Sequence, residues 1–510
     1  MQLGFAIDQR TCIGCHACTV ACKTENDVPV GQFRTWLKYV EKGEFPATTR
    51  EFGVLRCNHC TDAPCVKICP TQALFKREDG IVDFDSDRCI GCKSCMQACP
   101  YDAIYIDADT HTAAKCNLCA HRVDNDLEPA CVVVCPTHSI WVGDLDDPTS
   151  GIAKLVATQE TTVRSPEQNT GPNVFYLGAD RAVLDPLAAP VEDTYLWAKP
   201  DAHRLETAGD LTPDPTTNAR TTLNTAHPRP WGWKVVTYLW TKGIGAGAMA
   251  LAALAHLMGL DLGVLGDYVA PALAVFGAAT TGGLLVWDLK RPERFLYLFL
   301  KSNWTSWLVL GGYVLTLFTG GALLWVLAAM LDVGWLMTTL AWLALPVSAL
   351  MAGYTAFLFG QAEGRDLWQS PVLFWHLLAQ AVMVGAGALA VAGAVIGLDR
   401  EQWTWIAAAF TIGTAAHLLV TWVEYAGRHA SRQATVAAHI VTKGRYATTF
   451  WGAAVLPAVA ALVLGAVAWG LPASSSLVPW LLVLAGLAVQ PALVAYESVF
   501  VRAGQDPPLS

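Results

Sequence analysis

Sixteen cysteines carry the clearest chemistry in this chain, and all of them fall between Cys12 and Cys135. They form four groups. Cys12, Cys15, Cys18 and Cys22 are spaced C-x2-C-x2-C-x3-C, and Cys89, Cys92, Cys95 and Cys99 repeat that spacing and close on Pro100. Cys57, Cys60, Cys65 and Cys69 read C-x2-C-x4-C-x3-C before Pro70, and Cys116, Cys119, Cys131 and Cys135 read C-x2-C-x11-C-x3-C before Pro136. A tight C-x2-C-x2-C loop lets three thiolates cap one face of a cubane, while the fourth cysteine, launched from the helix that follows, points toward a neighbouring cluster. Four groups of four supply ligands for four [4Fe–4S] clusters with none left over. Zinc ribbons use C-x2-C pairs too, but rarely triplets at this spacing followed by C-x3-C-P. Four redox centres in one small region make an electron relay, because no single catalytic step needs four.

The elements that position these residues divide the chain. It has 510 residues, net charge −9, 53% hydrophobic and only 15% charged residues, which predicts two or three domains with part of the chain in lipid. The cysteine-rich domain spans about 1–185. Residues 186–230, rich in Pro, Thr, Asp and Ala, cannot bury enough apolar surface to fold alone and are expected to form an extended linker. Residues 231–505 are predominantly apolar. The opening MQLGFAIDQRTC has no basic start, apolar core or cleavage site, and no twin-arginine signal, so an unexported, reducing location is expected, where metal explains the cysteines better than disulfides. No basic patch supports nucleic-acid binding.

Eight apolar segments exceed the roughly 20 residues that cross a bilayer. Their approximate limits are 234–259, 266–288, 303–331, 334–360, 371–397, 402–424, 447–470 and 477–500. Gly and Ala recur within them (GIGAGAMALAALA, VMVGAGALAVAGAV), as close helix packing in lipid favours. With eight crossings, the cysteine domain, the C-terminus and loops 2–3, 4–5 and 6–7 share one side. That side carries Lys290, Arg291, Arg294, Lys301, Arg365, Arg428, Arg432, Lys443, Arg445 and Arg502, whereas the opposite loops carry Arg400 alone. The positive-inside rule makes the basic side cytoplasmic, so the cysteine domain is expected on the cytoplasmic face of a bacterial inner membrane. Some of these arginines have a second reading, docking the cysteine domain.

Polar residues within spans are costly and usually functional. Lys242 lies about eight residues into the first helix, roughly 12 Å along its axis. Asp288, Tyr354, Gln361, Glu363, His376, His417, Glu424 and Glu497 fall in the same half of the membrane or at its edge, and His256 lies near the far side. Such clustering suits a quinone pocket, whose head group needs hydrogen-bond donors and a proton source close to the last cluster. Lys242 and Tyr354 are candidates to hold its carbonyl oxygens, with His376 and His417 as further site residues or proton relays. Plainer readings stand beside these: a snorkelling or ion-paired lysine, an ordinary packed tyrosine, satisfied core histidines, or two histidines on a haem. Asp288 with Arg291-Pro292-Glu293-Arg294 reads as structural or docking. The basic residues flanking the cysteines (Lys23, Arg56, Lys67, Lys76, Arg77, Arg88, Lys93, Lys115 and Arg122) either raise cluster potentials or form a solvated surface.

Residues 5 to about 180 resemble the iron–sulfur subunit of the DMSO-reductase (complex iron–sulfur molybdoenzyme) family, through CIGCHACTVACK at 12–23, RCNHCTDAPCVKICPT at 56–71, RCIGCKSCMQACPYDA at 88–103, KCNLCAHRV and ACVVVCPT. Residues 234 to about 500 resemble the NrfD/polysulfide-reductase membrane subunit, through WDLKRPERF at 287–295, NWTSW at 303–307 and GYTAFLFG at 353–360. The resemblance implies an α+β ferredoxin-like domain with four cubane clusters, followed by an all-α bundle of eight transmembrane helices. It implies crossed ligation: Cys12, Cys15 and Cys18 with Cys135; Cys22 with Cys116, Cys119 and Cys131; Cys57, Cys60 and Cys65 with Cys99; Cys69 with Cys89, Cys92 and Cys95. Some relatives lose one cysteine of the third group, and this chain keeps all four. The resemblance also implies a molybdopterin-containing catalytic subunit facing the first-and-fourth half, a quinone (menaquinone or ubiquinone) bound without haem, and a quinone tyrosine matching Tyr354. Many members place the iron–sulfur domain in the periplasm; the loop charges here place it in the cytoplasm. The expected role is that of a fused electron-transfer and membrane-anchor subunit, with substrate catalysis on another polypeptide. The alternative is a module whose helices conduct protons driven by quinone chemistry.

Overall fold

The computed structural model describes residues 1–189, 218–225, 229–472 and 475–510. In the first segment Leu3–Asp8 is buried along nearly its whole length, so it reads as an apolar run rather than an alternation. It pairs in parallel with Val174–Leu177 and antiparallel with Ile140–Asp144, giving the domain a central sheet. A second antiparallel sheet joins Thr35–Lys42 to Thr49–Arg56 and to Arg220–Leu223.

That last strand corrects the linker expected over 186–230. Residues 190–217 and 226–228 of it lie outside the described residues. Leu187, Ala188 and Ala189 are buried, and Arg220–Leu223 is hydrogen-bonded into the cysteine domain. Docking on an existing sheet edge supplies the stabilisation that this composition lacks by itself.

Short helices position the cysteines. Pro64–Ile68 and Ser94–Ala98 carry Cys65 and Cys95 and stop at Cys69 and Cys99, both in extended backbone. The prolines that follow disfavour the helical conformation in the residue before them, which turns each fourth cysteine away from its helix axis. Two small hairpins, Leu74–Lys76 with Val82–Phe84 and Ile104–Ile106 with Ala113–Lys115, brace the loops between.

The second half is a bundle of long helices: α1 (Trp233–Leu257), α2 (Leu265–Asp288), α3 (Trp307–Met330), α4 (Gly334–Gly360), α5 (Leu373–Ile396), α6 (Arg400–Ala426), α7 (Thr449–Gly470) and α8 (Leu477–Ala503). Among the described residues seven of them, α2 to α8, are long and apolar enough to cross a membrane. The exception, α1, has 25 residues, about 37 Å. Lys242 and its glycines lower its apolarity, and it packs at the centre of the bundle. There the backbone of Gly247 meets that of Ala381 and Gly385 on α5, an approach that any added Cβ would block. Exposed tryptophans ring both ends of the bundle, Trp287, Trp304, Trp375 and Trp422 near the cysteine domain and Trp335 and Trp480 at the far end, as at the two interfaces of a bilayer.

The two halves meet along a polar seam built by the loops after α2, α4 and α6 and by the chain's last residues. Lys93 pairs with Asp288 at 2.6 Å. Arg291 donates to Thr110 O, Arg294 to Ser86 O and Cys89 O, Arg365 to Gln97 Oε1, and Arg432 pairs with Asp185. The docking reading therefore holds for these arginines, and the charge asymmetry left to orient the bundle is smaller than the raw loop count. Asn303 and Ser306 donate to Cys69 O and Ile68 O. Both NWTSW and WDLKRPERF are thus seam elements.

Candidate cluster sites and membrane cavity

Cys69, Cys89, Cys92 and Cys95 line one cavity of the cysteine domain, and Cys22, Cys116, Cys119 and Cys131 line another. Asn26 Nδ2 spans the second set, 3.9 Å from Cys22 Sγ and 3.7 Å from Cys119 Sγ. Cys57, Cys60, Cys65 and Cys99 lie within electrostatic reach of one another, as do Cys12 with Cys15 and Cys135, and Cys18 with both Cys131 and Cys12. Each set unites one segment with a cysteine from another. A donor set of four sulfurs around a shared space suits a cubane. Burial pushes the Cys18 and Cys60 thiols up to about 12, so a compensating cation such as iron favours their thiolate forms. At Cys135 burial is outweighed by hydrogen bonds from Ser139 and Thr137, and the thiol sits below its ordinary value.

Two of the flanking cations are wholly buried against the cysteines. Arg56 lies over the Phe5 ring, 4.3 Å from its centroid, and directs Nη1 at Cys131 Sγ, 3.2 Å away. Its Nε and Nη2 have no hydrogen-bond partner among the described residues. A buried guanidinium held between an aromatic face and a cysteine sulfur calls for negative charge beside it. Lys115 donates to Val82 O and, at 2.9 Å, to Cys116 O. Lys67 and Arg77, in contrast, form surface pairs with Asp62 and Asp124. Nothing in the motif RC at 56–57 distinguishes Arg56 from Arg88, which begins the third group in the same way.

Directly across the seam is a largely apolar cavity of about 240 Å³. Cys92 and Ser94 form its wall on the cysteine-domain side; Trp231, Tyr238, Asp288 and Tyr354 lie on the membrane side. Tyr238 was absent from the sequence candidates, although it stands one helical turn before Lys242 on the same face of α1. Lys242 sits behind Tyr354, its ammonium 4.7 Å from the ring centroid. It donates to Ala352 O at 2.9 Å and to Thr355 Oγ1. Two of its three donors thus tie α1 to α4. The Tyr354 ring also fills the notch left by Gly311 on α3, where a Cβ would collide with it.

His376 and His417 are not on the cavity wall. They meet each other instead, His376 Nε2 to His417 Nδ1 at 2.9 Å, with His376 Nδ1 2.8 Å from Glu424 Oε2. Their depth is similar, as the sequence implied, but the phases of α5 and α6 turn both toward α8, where Tyr496 donates to Glu424 at 3.1 Å.

Comparison with known proteins agrees with this division. The 4Fe-4S dicluster domain family matches residues 49–145, and the polysulphide reductase, NrfD family matches residues 221–501. Over 200 residues the sequence is 45% identical to the B subunit of tetrathionate reductase from Salmonella typhimurium, covering 38% of this protein and 80% of that one. Over 189 residues it is 40% identical to the B subunit of polysulfide reductase from Wolinella succinogenes, covering 36% and 98%. Over 172 residues it is 42% identical to the thiosulfate reductase electron transfer subunit PhsB of Salmonella typhi, covering 33% and 88%. All three similarities cover about a third of this protein, whereas the NrfD match covers most of the helical half. The protein belongs to the polysulphide reductase NrfD family and carries, fused ahead of that membrane domain, a 4Fe-4S iron–sulfur electron-transport domain of the kind found in reductase B subunits.

Proposed function

We propose that this protein relays electrons through four [4Fe–4S] clusters between a separate molybdopterin-containing catalytic subunit and the membrane quinone pool. The observation that carries this reading is the cavity at the seam, which has a cluster cysteine, Cys92, on one wall and a membrane tyrosine, Tyr354, on the other. When bound, the clusters supply one-electron redox chemistry. The crossed sets described above are the ligands: Cys12, Cys15, Cys18 and Cys135; Cys22, Cys116, Cys119 and Cys131; Cys57, Cys60, Cys65 and Cys99; Cys69, Cys89, Cys92 and Cys95. At the far end Cys15 is exposed beside exposed Ile13 and Val20, a surface suited to a catalytic partner, as the names of the relatives as reductase subunits imply.

Tyr354 presents its hydroxyl to a quinone head group, with Lys242 fixing the ring from behind and Tyr238 beside it. Counting α1, the bundle crosses the membrane eight times, which puts the cysteine domain and the loops of the seam on one side. Lys301, Arg428, Lys443 and Arg502 against Arg400 alone still favour the cytoplasm for that side of a bacterial inner membrane.

The purified protein is expected to bind about sixteen irons and to show the paramagnetic signals of reduced cubanes; stoichiometric zinc overturns the reading. Tyr354→Phe is expected to weaken a quinone head-group analogue about tenfold, the loss of one hydrogen bond worth ~1.4 kcal/mol. Unchanged binding removes Tyr354 from the site. Arg56→Met is expected to lower the potential of an adjoining cluster by on the order of 60 mV, one tenfold step for a one-electron couple, because positive charge favours the reduced form. Redox titration followed by paramagnetic resonance reads this shift.

A further inference from the structure

Polar and ionisable side chains from three helices, joined by one from the loop before α5, form a largely buried array that the seam does not use and that does not line the cavity. His376 on α5 sits between His417 Nδ1 at 2.9 Å and Glu424 Oε2 at 2.8 Å, both on α6. Tyr496 of α8 donates to the same Glu424 oxygen at 3.1 Å, and Ser370, half-buried in the loop before α5, donates to Glu424 Oε1 at 3.2 Å. Glu424 therefore reaches the end of the bundle beside the cysteine domain. On the inner side Glu497 of α8 lies within electrostatic reach of His376 and of Lys242. It is 2% exposed, and its Oε2 has no hydrogen-bond partner among the described residues. Gln380, one turn after His376 on α5, is buried and approaches the Glu497 carboxyl with its side chain.

So many ionisable groups in the lipid-embedded part of a protein are expensive unless they work. Their connectivity suggests the work. As a carboxylate Glu424 accepts the Nδ1–H of His376, which leaves His376 Nε2 of the neutral ring to accept from His417 or from the Thr421 hydroxyl at 3.3 Å. Protonating either end and releasing the proton at the other needs no side chain to travel. Glu497, within electrostatic reach of both His376 and Lys242, stands between the array and the lysine behind Tyr354, and ordered water can carry a proton across the remaining span.

We propose that Glu424, His376, His417 and Glu497 form a proton conduit between the surface beside the cysteine domain and the cavity at Tyr354. This rests on the quinone reading above. Reduction of a quinone to the quinol takes up two electrons, delivered through the reduced iron–sulfur domain, and two protons, which the conduit brings from the cysteine-domain side. Oxidation of the quinol returns both along the same routes.

The test uses membranes containing the whole complex. Glu424→Gln and His376→Phe are expected to slow reduction of a soluble naphthoquinone by about 10²-fold, to raise the solvent deuterium effect, and to leave dithionite-reduced cluster signals and naphthoquinone affinity close to those of the parent. Glu424→Asp is expected to recover most of the rate, and imidazole in the medium to restore part of it in His376→Ala. Parent-like rates and isotope effects in Glu424→Gln and His376→Phe overturn the conduit, as does a loss in Glu424→Gln that Glu424→Asp does not recover. If naphthoquinone fails to reoxidise the reduced clusters of the parent itself, the quinone reading falls and the conduit with it.

Discussion

A Cys69→Ala variant is expected to hold about twelve irons in place of about sixteen and to lose nearly all electron transfer to quinone. Cys69 shares its cavity with Cys89, Cys92 and Cys95, so its removal leaves that site three sulfurs. The neighbouring backbone is pinned to the membrane domain by Asn303 and Ser306, and Cys92 also faces the cavity that contains Tyr354. A relay in series tolerates no gap at its last step. The same change at Cys22, on the other side of the domain, is expected to spare quinone reduction when dithionite supplies the electrons, while stopping it when the catalytic partner does. Iron analysis and quinone reduction with the two electron sources check both. Equal effects of the two substitutions with dithionite would refute the proposed order of sites.

The second large effect concerns stability. Asp506 has a fully buried side chain that pairs with Arg229 at 2.6 Å and with Arg445. Asp506→Ala removes the buried anion that two largely buried guanidinium groups share, and removing one partner of a buried pair costs about 3–5 kcal/mol. The neighbouring contacts of the tail depend on the same anchor: Gln97 donates to Gln505, Arg164 donates to Leu509 O and Asn224 to Ser510 O. The cysteine domain is therefore expected to loosen from the bundle, and quinone reduction to fall while iron content is retained. Thermal unfolding in detergent and limited proteolysis across the seam read this. A parent-like melting profile would show that the pair contributes little.

Much of this molecule was legible in its sequence because its chemistry is local. Groups of cysteines announce themselves by spacing, and candidate spans by unbroken apolar length. What was not legible depends on partners distant in the chain. Arg56 looks like any arginine before a cysteine until the fold wraps Phe5, Cys18 and Cys131 around it. His376 and His417 were legible as histidines at similar depth on two helices, and they do meet, but which way a helix turns its side chains is decided by its neighbours, and α8 claimed both. The strand at Arg220–Leu223 borrows its order from Thr35–Lys42. The terminal GQDPPLS has the composition of a frayed end, yet it is buried because two arginines from elsewhere close over its aspartate. Loop arginines that sequence assigns to membrane orientation turn out in several cases to hold the two halves together.

The seam has an evolutionary corollary. Its hydrogen bonds and ion pairs join residues on either side of 190–217, and none of them needs the peptide chain to be continuous. Two genes expressing the halves separately would yield the same interface, so joining them fixes their ratio at one to one and raises their local concentration without inventing a new contact.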